Sequence, residues 1–345
     1  MLLSNTKKKP TGLFSQKSRL IFGRMRSIFS WLYWAFRPLI KAILRKVTHL
    51  CELQRICYST LSGAKRSLQV EFSLEHSKQK NIKEMIAYLD DLSNRRKLRE
   101  NLTEALSRSV ILILTAKSVN PKIHFQFVKS MSRCVEHIWG YKQLINELCV
   151  LSKESYDCDN EEHEEKLLKL WNLLCPNTPL SSRVSRQWKY IGFQGNDPKT
   201  DFRGMGILGL DNLLFFAEEY SNLAQAVLQH SRHPRQGFAF AILGINISSM
   251  AFNLLLEGHA KTHFFNISRR MPNIDAFHHF YCYLFCEFDK FWIKSNPSNI
   301  MDFLSIRQKF EIVIHERLKD ENCELSIKNA ISNVSLVWHR GLKIV

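Results

Sequence analysis

Apolar side chains recur at three- and four-residue spacing through most of the chain, the pattern of helices that each bury one face. Leu102, Ala105, Leu106, Val110, Ile111 and Leu114 follow it up to an Asn120–Pro121 break. A second helix is predicted from Phe125 through Val128 and beyond, and a third over Ile138 to Leu151. A polar turn at 155–160 precedes Glu161, Glu162, Glu164 and Glu165, whose charge suits the first turns of a helix running to Leu174. Cys175–Pro176 ends it. Asp211 is the predicted N-cap of a helix through Tyr220. Further helices are predicted from about Asn222 to His230, Phe238 to Leu256, Ile274 to Lys294 and Met301 to about Arg317. Almost no segment alternates with period two, and no repeat of roughly 20–50 residues is present, so the expected fold class is all-α and not a solenoid.

Two stretches raise the question of a membrane. Phe238 to Leu256 has no charged residue and is long enough to span one. Asn246, Ser248, Ser249 and Asn253 favour instead a central helix of a large helical domain. Ser27 to Leu44 is apolar and aromatic, but Arg37, Pro38 and Lys41 interrupt it before the roughly 20 apolar residues of a span. It fits the membrane interface better. Trp31, Tyr33 and Trp34 suit the headgroup boundary, and Arg26, Arg37 and Lys41 suit anionic lipid. An Arg-rich, acid-free mitochondrial-type targeting segment and a helix packed on the domain are the alternatives.

Charge sharpens this. Of the 345 residues, 45% are hydrophobic, enough for a sizeable core. The net charge is +17, but eleven Lys and Arg and no acidic residue fall within residues 1–50. The basic surface is therefore the N-terminus, and nucleic-acid binding by the body is not expected. Nine cysteines, an odd number without CxxC pairs, read as reduced thiols, and no secretory signal is visible; a cytoplasmic protein, peripheral on an intracellular membrane, is the expectation.

Few motifs carry chemistry. Gly204 to Gly209 matches GxGxxG, but Pro198, Lys199, Thr200, Asp201 and Arg203 stand where the dinucleotide fingerprint needs an apolar strand. His278, Cys282 and Cys286 share a helix face, among aromatic neighbours that read as core; no metal site is expected. Paired carboxylates, a nucleophile elbow, a Walker loop and HExxH are absent. There remains Arg203, in a segment punctuated by glycines. A guanidinium is planar and permanently charged, suited to charge on a phosphoryl group in transfer. The alternative is that Arg203 pairs with Asp201 or Asp197 and fixes the loop.

Trp188, Ile191-Gly192-Phe193-Gln194-Gly195, Pro198, Thr200-Asp201-Phe202-Arg203, Gly206 and Leu208-Gly209-Leu210, preceded by Leu170 to Leu174, resemble the ELMO (engulfment and cell motility) domain. The resemblance spans roughly 133–315; the helical stretch 47–132 is similar to the N-terminal part of the short ELMO domain-containing proteins. Residues 1–46 form the basic aromatic segment, and 316–345 a tail without recognisable landmarks. The resemblance implies a compact multi-helix fold with a preceding helical segment, and activation of GTP hydrolysis on small GTPases of the Arf and Arl families. It places Arg203 at the position of the catalytic finger, which the short members keep and the large scaffolding ELMO proteins lack. A scaffold that binds such a GTPase without catalysis is the other implied reading. The protein would need no cofactor of its own, acting on GTP and magnesium held by the partner. Gly204 and Gly206 would let the loop reach the nucleotide, Thr200 and Asp201 would hold it, and Gln194 and Gly195 are candidate partner contacts. Gln194 orienting the attacking water is a further option, the partner's own glutamine being the simpler source.

Overall fold

The computed structural model describes residues 36–328. The chain forms two compact units, Met1–Arg55 and Ile56–Val345. Among the described residues there are helices and no strands, as the periodicity predicts.

In the first unit, helix α1 covers residues 36–48 and α2, Glu52–Tyr58, begins just after it. Glu52 ties the two together. It accepts from Arg37 at 3.4 Å and pairs with Lys41. Arg26, Trp31, Tyr33 and Trp34, the other expected interface residues, lie outside the described residues.

The second unit continues with α3 (Gly63–Glu75), α4 (Lys80–Asn94), α5 (Leu102–Lys117), α6 (Phe125–Lys153), α7 (Glu161–Leu174), α8 (Gly206–Glu219), α9 (Ser221–Ser231), α10 (Phe240–Leu256), α11 (Lys261–Ile267), α12 (Ile274–Ser295) and α13 (Phe303–Leu318). The expected second and third helices are in fact one, α6, 29 residues long. Its central stretch, Cys134 to Tyr141, is buried on every side, so it shows no polar face by which to follow the helix. Its middle meets α4, where Trp139 Nε1 donates to Asp90 at 2.8 Å and Ser93 donates to the Trp139 carbonyl at 3.2 Å. Its C-terminal end meets α8.

α8 is the centre, packed on α6, α7, α9, α10 and α12. Ten of its 14 residues are buried, which is why its apolar pattern is nearly continuous rather than one-sided. Asp211 is not its N-cap: the helix begins five residues earlier, and Asp211 accepts an ion pair from Lys166 of α7 at 3.0 Å. α10 is similarly enclosed, with eleven buried residues that include Leu243, Ile247 and Leu254. Among the described residues no single helix is long and apolar enough to cross a membrane.

A buried polar chain crosses this core. His278 Nδ1 donates to Asn212 Oδ1 at 2.7 Å, Asn212 Nδ2 donates to Ser248 at 2.9 Å, and Ser248 donates to the Gly244 carbonyl at 3.0 Å. Burial depresses His278 to about 4, keeping it neutral. Cys282 and Cys286 are buried among Phe280, Phe285 and Phe288, and all nine cysteines are free. The start of the tail also docks: Cys323, Leu325 and Ile327 join the core, and the Leu325 amide donates to His263 at 3.1 Å.

Candidate functional site

The motif region is two short 3₁₀ turns with a loop between them. The first, Arg186–Ile191, is capped by Ser185 and closes on Gly192, whose φ of 84° is left-handed. Trp188 lies edge-on to Trp171 and to Phe193, and its Nε1 donates to the Arg183 carbonyl at 2.9 Å. These aromatics are anchors in the core rather than surface contacts.

The second turn, Pro198–Gly204, carries the arginine. Asp197 caps it, accepting from the Lys199 amide at 3.0 Å, and Pro198 supplies the helical φ of the first position. Phe202 points inward, stacked on Tyr156 at 5.4 Å and edge-on to Phe193. Arg203, the next residue, faces solvent.

Arg203 does not pair with either aspartate. Its Nε donates to the Thr200 carbonyl at 2.8 Å, within its own turn, and neither of its Nη nitrogens makes a hydrogen bond or ion pair with the described residues. Both carboxylates are otherwise engaged. Asp201 accepts from the Gln194 amide at 2.9 Å, which ties the loop to the turn. Burial raises the Asp201 carboxyl above the usual aspartate range, opposed by that bond and by the charge of Arg203. Asp197 accepts from Arg183 Nη1 at 3.0 Å. Thr200 bonds back to the Asp197 carbonyl at 3.3 Å.

Arg183 was not among the expected site residues. It joins three elements: Nε donates to Glu164 of α7 at 2.8 and 2.6 Å, Nη1 to Asp197, and Nη2 to the Tyr156 hydroxyl at 3.4 Å. Tyr156 in turn donates to Glu164 at 2.5 Å. Burial works against the guanidinium charge, yet the bonds to Glu164 and Asp197 outweigh it and hold Arg183 firmly protonated.

Gly204 and Gly206 differ in kind. Gly206, at φ 51°, is where α8 meets the end of α6: a Cβ there would press on the Glu154 carbonyl and lie 2.8 and 2.9 Å from those of Leu151 and Ser152. The Ile207 amide donates to Glu154 O at 2.9 Å, so the end of α6 serves one of the first-turn amides of α8. Gly206 is thus a joint of the fold rather than part of an extended reach. A Cβ on Gly204 would meet only Ile245, at 3.9 Å.

Gln194, Thr200, Asp201, Arg203 and Gly204 line one open cleft of about 360 Å³. Gly195 sits beside it in the loop, with room for a Cβ. The opposite wall is one face of α10: Ile242, Ile245, Asn246 and Ser249. Sequence reasoning read these only as core. The polar pair Asn246 and Ser249, in register with Ile242 within an apolar run, was the available signal. The Asp157, Cys158 and Asp159 side chains lie close together but are exposed, and no other group among the described residues has metal-binding geometry.

The arrangement is that of a helical protein whose anchored turn presents the Arg203 guanidinium at an open cleft. A family model described as the ELMO/CED-12 family matches residues 146–307, the stretch that contains both turns and the cleft. ELMO domain-containing protein 1 of Mus musculus is 44% identical over 303 residues, covering 83% of this chain and 89% of that protein. ELMO domain-containing protein 2 of Homo sapiens is 43% identical over 293 residues, 85% of this chain and 95% of its own. ELMO domain-containing protein B of Dictyostelium discoideum is 34% identical over 296 residues, covering 84% and 95%. The chain belongs to the ELMO/CED-12 family.

Proposed function

We propose that this protein is a GTPase-activating protein, supplying Arg203 in trans to an Arf- or Arl-type small GTPase that holds GTP and magnesium. The observation that carries the reading is the state of Arg203: exposed, fixed by its stem to Thr200 O, and with both Nη nitrogens unspent on any carboxylate. A fork so held reaches a phosphate without first breaking an ion pair. Gly204 leaves the space beside it open for the partner's surface.

In the proposed complex the Nη groups meet the oxygens between the β- and γ-phosphates, where negative charge builds as the terminal phosphoryl departs. An arginine supplied this way accelerates hydrolysis by roughly 10³–10⁵-fold, or about 4–7 kcal/mol. Asp201 and Thr200 position the turn and take no part in the chemistry. Gln194 donates its backbone amide to Asp201, so it serves the loop; the residue that orients water comes from the partner.

Single-turnover hydrolysis by GTP-loaded Arf and Arl proteins, with and without the full chain and its Arg203→Lys variant, tests the reading. Acceleration by the wild type and loss of most of it in the variant, with binding retained, is expected, since lysine keeps the charge and loses the planar fork. Binding without acceleration by either form would overturn it in favour of a scaffold.

A further inference from the structure

Among the described residues, helix α1 carries an exposed apolar stripe. Phe36, Leu39, Ile40, Ile43, Leu44 and Val47 are between 40% and 72% exposed. At about 100° per residue these six positions fall within an arc of roughly 140°. Arg37 and Lys41 lie on the other side, held by Glu52. The remaining cations of the helix, Arg45 and Lys46, are exposed. The preceding 35 residues contain seven more Lys and Arg and no acidic residue.

We propose that this stripe is the face by which the protein lies on an anionic membrane, with Leu39, Ile40, Ile43 and Val47 sunk to the headgroup and acyl boundary. Charge selects this occupant. A contiguous apolar arc on a helix whose free charges, and those of the chain leading into it, are all positive is complementary to a surface that is apolar below and negative above. Insertion of the stripe and attraction of the cations act together on such a surface. The ion pairs to Glu52 have a definite part: they hold α1 against the start of α2 and so fix which face is presented. The assignment adds the stripe to the interface residues expected from the sequence. It is independent of the reading of Arg203.

Flotation of the full chain with phosphatidylcholine vesicles containing about 30 mol% phosphatidylserine tests it. The wild type is expected to float, and a double variant, Leu39→Asp with Ile43→Asp, to partition about tenfold or more less well. Both positions are exposed, so the far-ultraviolet spectrum and melting temperature should not change. Equal flotation of the double variant would overturn the proposal and assign binding to the charges of residues 1–35. Failure of the wild type to float would also overturn it. So would a fall in the protein's solution mass on making the double variant, since the stripe would then cover a second copy of the chain.

Discussion

Arg183 Nη1 and the Lys199 amide share one oxygen, Asp197 Oδ1, each at 3.0 Å. The residue that caps the arginine-bearing turn is thereby bolted, through Arg183, to Glu164 on α7. A cap that is itself held cannot swing away from its turn. Under the proposed function, Arg183→Gln should therefore lower maximal activation with little change in the GTPase concentration needed, and it should speed amide exchange over 197–204. Loss of charge-assisted bonds should cost about 1.5–3 kcal/mol in chemical denaturation. Arg183→Gln and Asp197→Ala together should cost less than their sum, a coupling measurable by a double-mutant cycle.

The two motif glycines should separate fold from function. Gly206→Ala forces a Cβ onto the α6 carbonyls at a left-handed φ, and should lower stability by about 1–3 kcal/mol for strain alone. Gly204→Ala, with open space around it, should change stability by no more than about 0.5 kcal/mol. The same variant should weaken activation if the partner's surface closes on that space. Thermal melts and the single-turnover assay read the two effects.

Asp289, 1% exposed, is hydrogen-bonded to His230 Nδ1 at 2.9 Å. That bond raises the affinity of His230 for a proton, while burial raises the Asp289 carboxyl. A histidine whose folded value lies above its unfolded one contributes stability fully present below about pH 6.5 and lost as pH rises through the folded value. The raised carboxyl has the same sign. Stability should therefore fall between slightly acid and alkaline pH, and His230→Gln should flatten that part of the profile. Denaturation at a series of pH values checks both.

Asn212 is the middle member of the buried polar chain. Its removal in Asn212→Ala leaves the His278 and Ser248 groups without their partner, at a cost of about 1–3 kcal/mol. Asn212→Asp should be worse, since it buries a carboxylate where the amide donates to Ser248. Equilibrium unfolding of the two variants ranks them.

The sequence pattern made the helices with clear start and stop signals legible. α7, with its acidic first turn, and α12, with Asn273 capping at the Ala276 amide, begin and end close to their predicted bounds. Elements were missed where tertiary contact replaces local signal. α8 starts without a side-chain cap, its Ile207 amide bonding the Glu154 carbonyl at the end of α6, so Asp211, a good cap by type, lies inside the helix rather than at its start. α11 has seven residues, too few for a period to declare itself. α3, near-neutral in its apolar pattern, begins at Gly63 rather than at a strong helix former. At the site, Arg203 and its glycines were visible because their types are unusual together. Arg183 was not, since an arginine that reaches across 14 and 19 residues to its two carboxylates leaves no local pattern.

The bond from Gln194 N to Asp201 Oδ2 joins the halves of the motif before any partner arrives. Together with the Nε bond to Thr200 it holds the backbone of the turn and the stem of Arg203 ahead of the proposed docking, so that ordering the far end of that side chain costs about 0.5–1.5 kcal/mol. Association should then resemble the meeting of two shaped surfaces more than the folding of a segment. Its heat-capacity change should report the apolar area covered, as on the Ile242 and Ile245 wall of α10, with no added contribution from a loop condensing around the nucleotide.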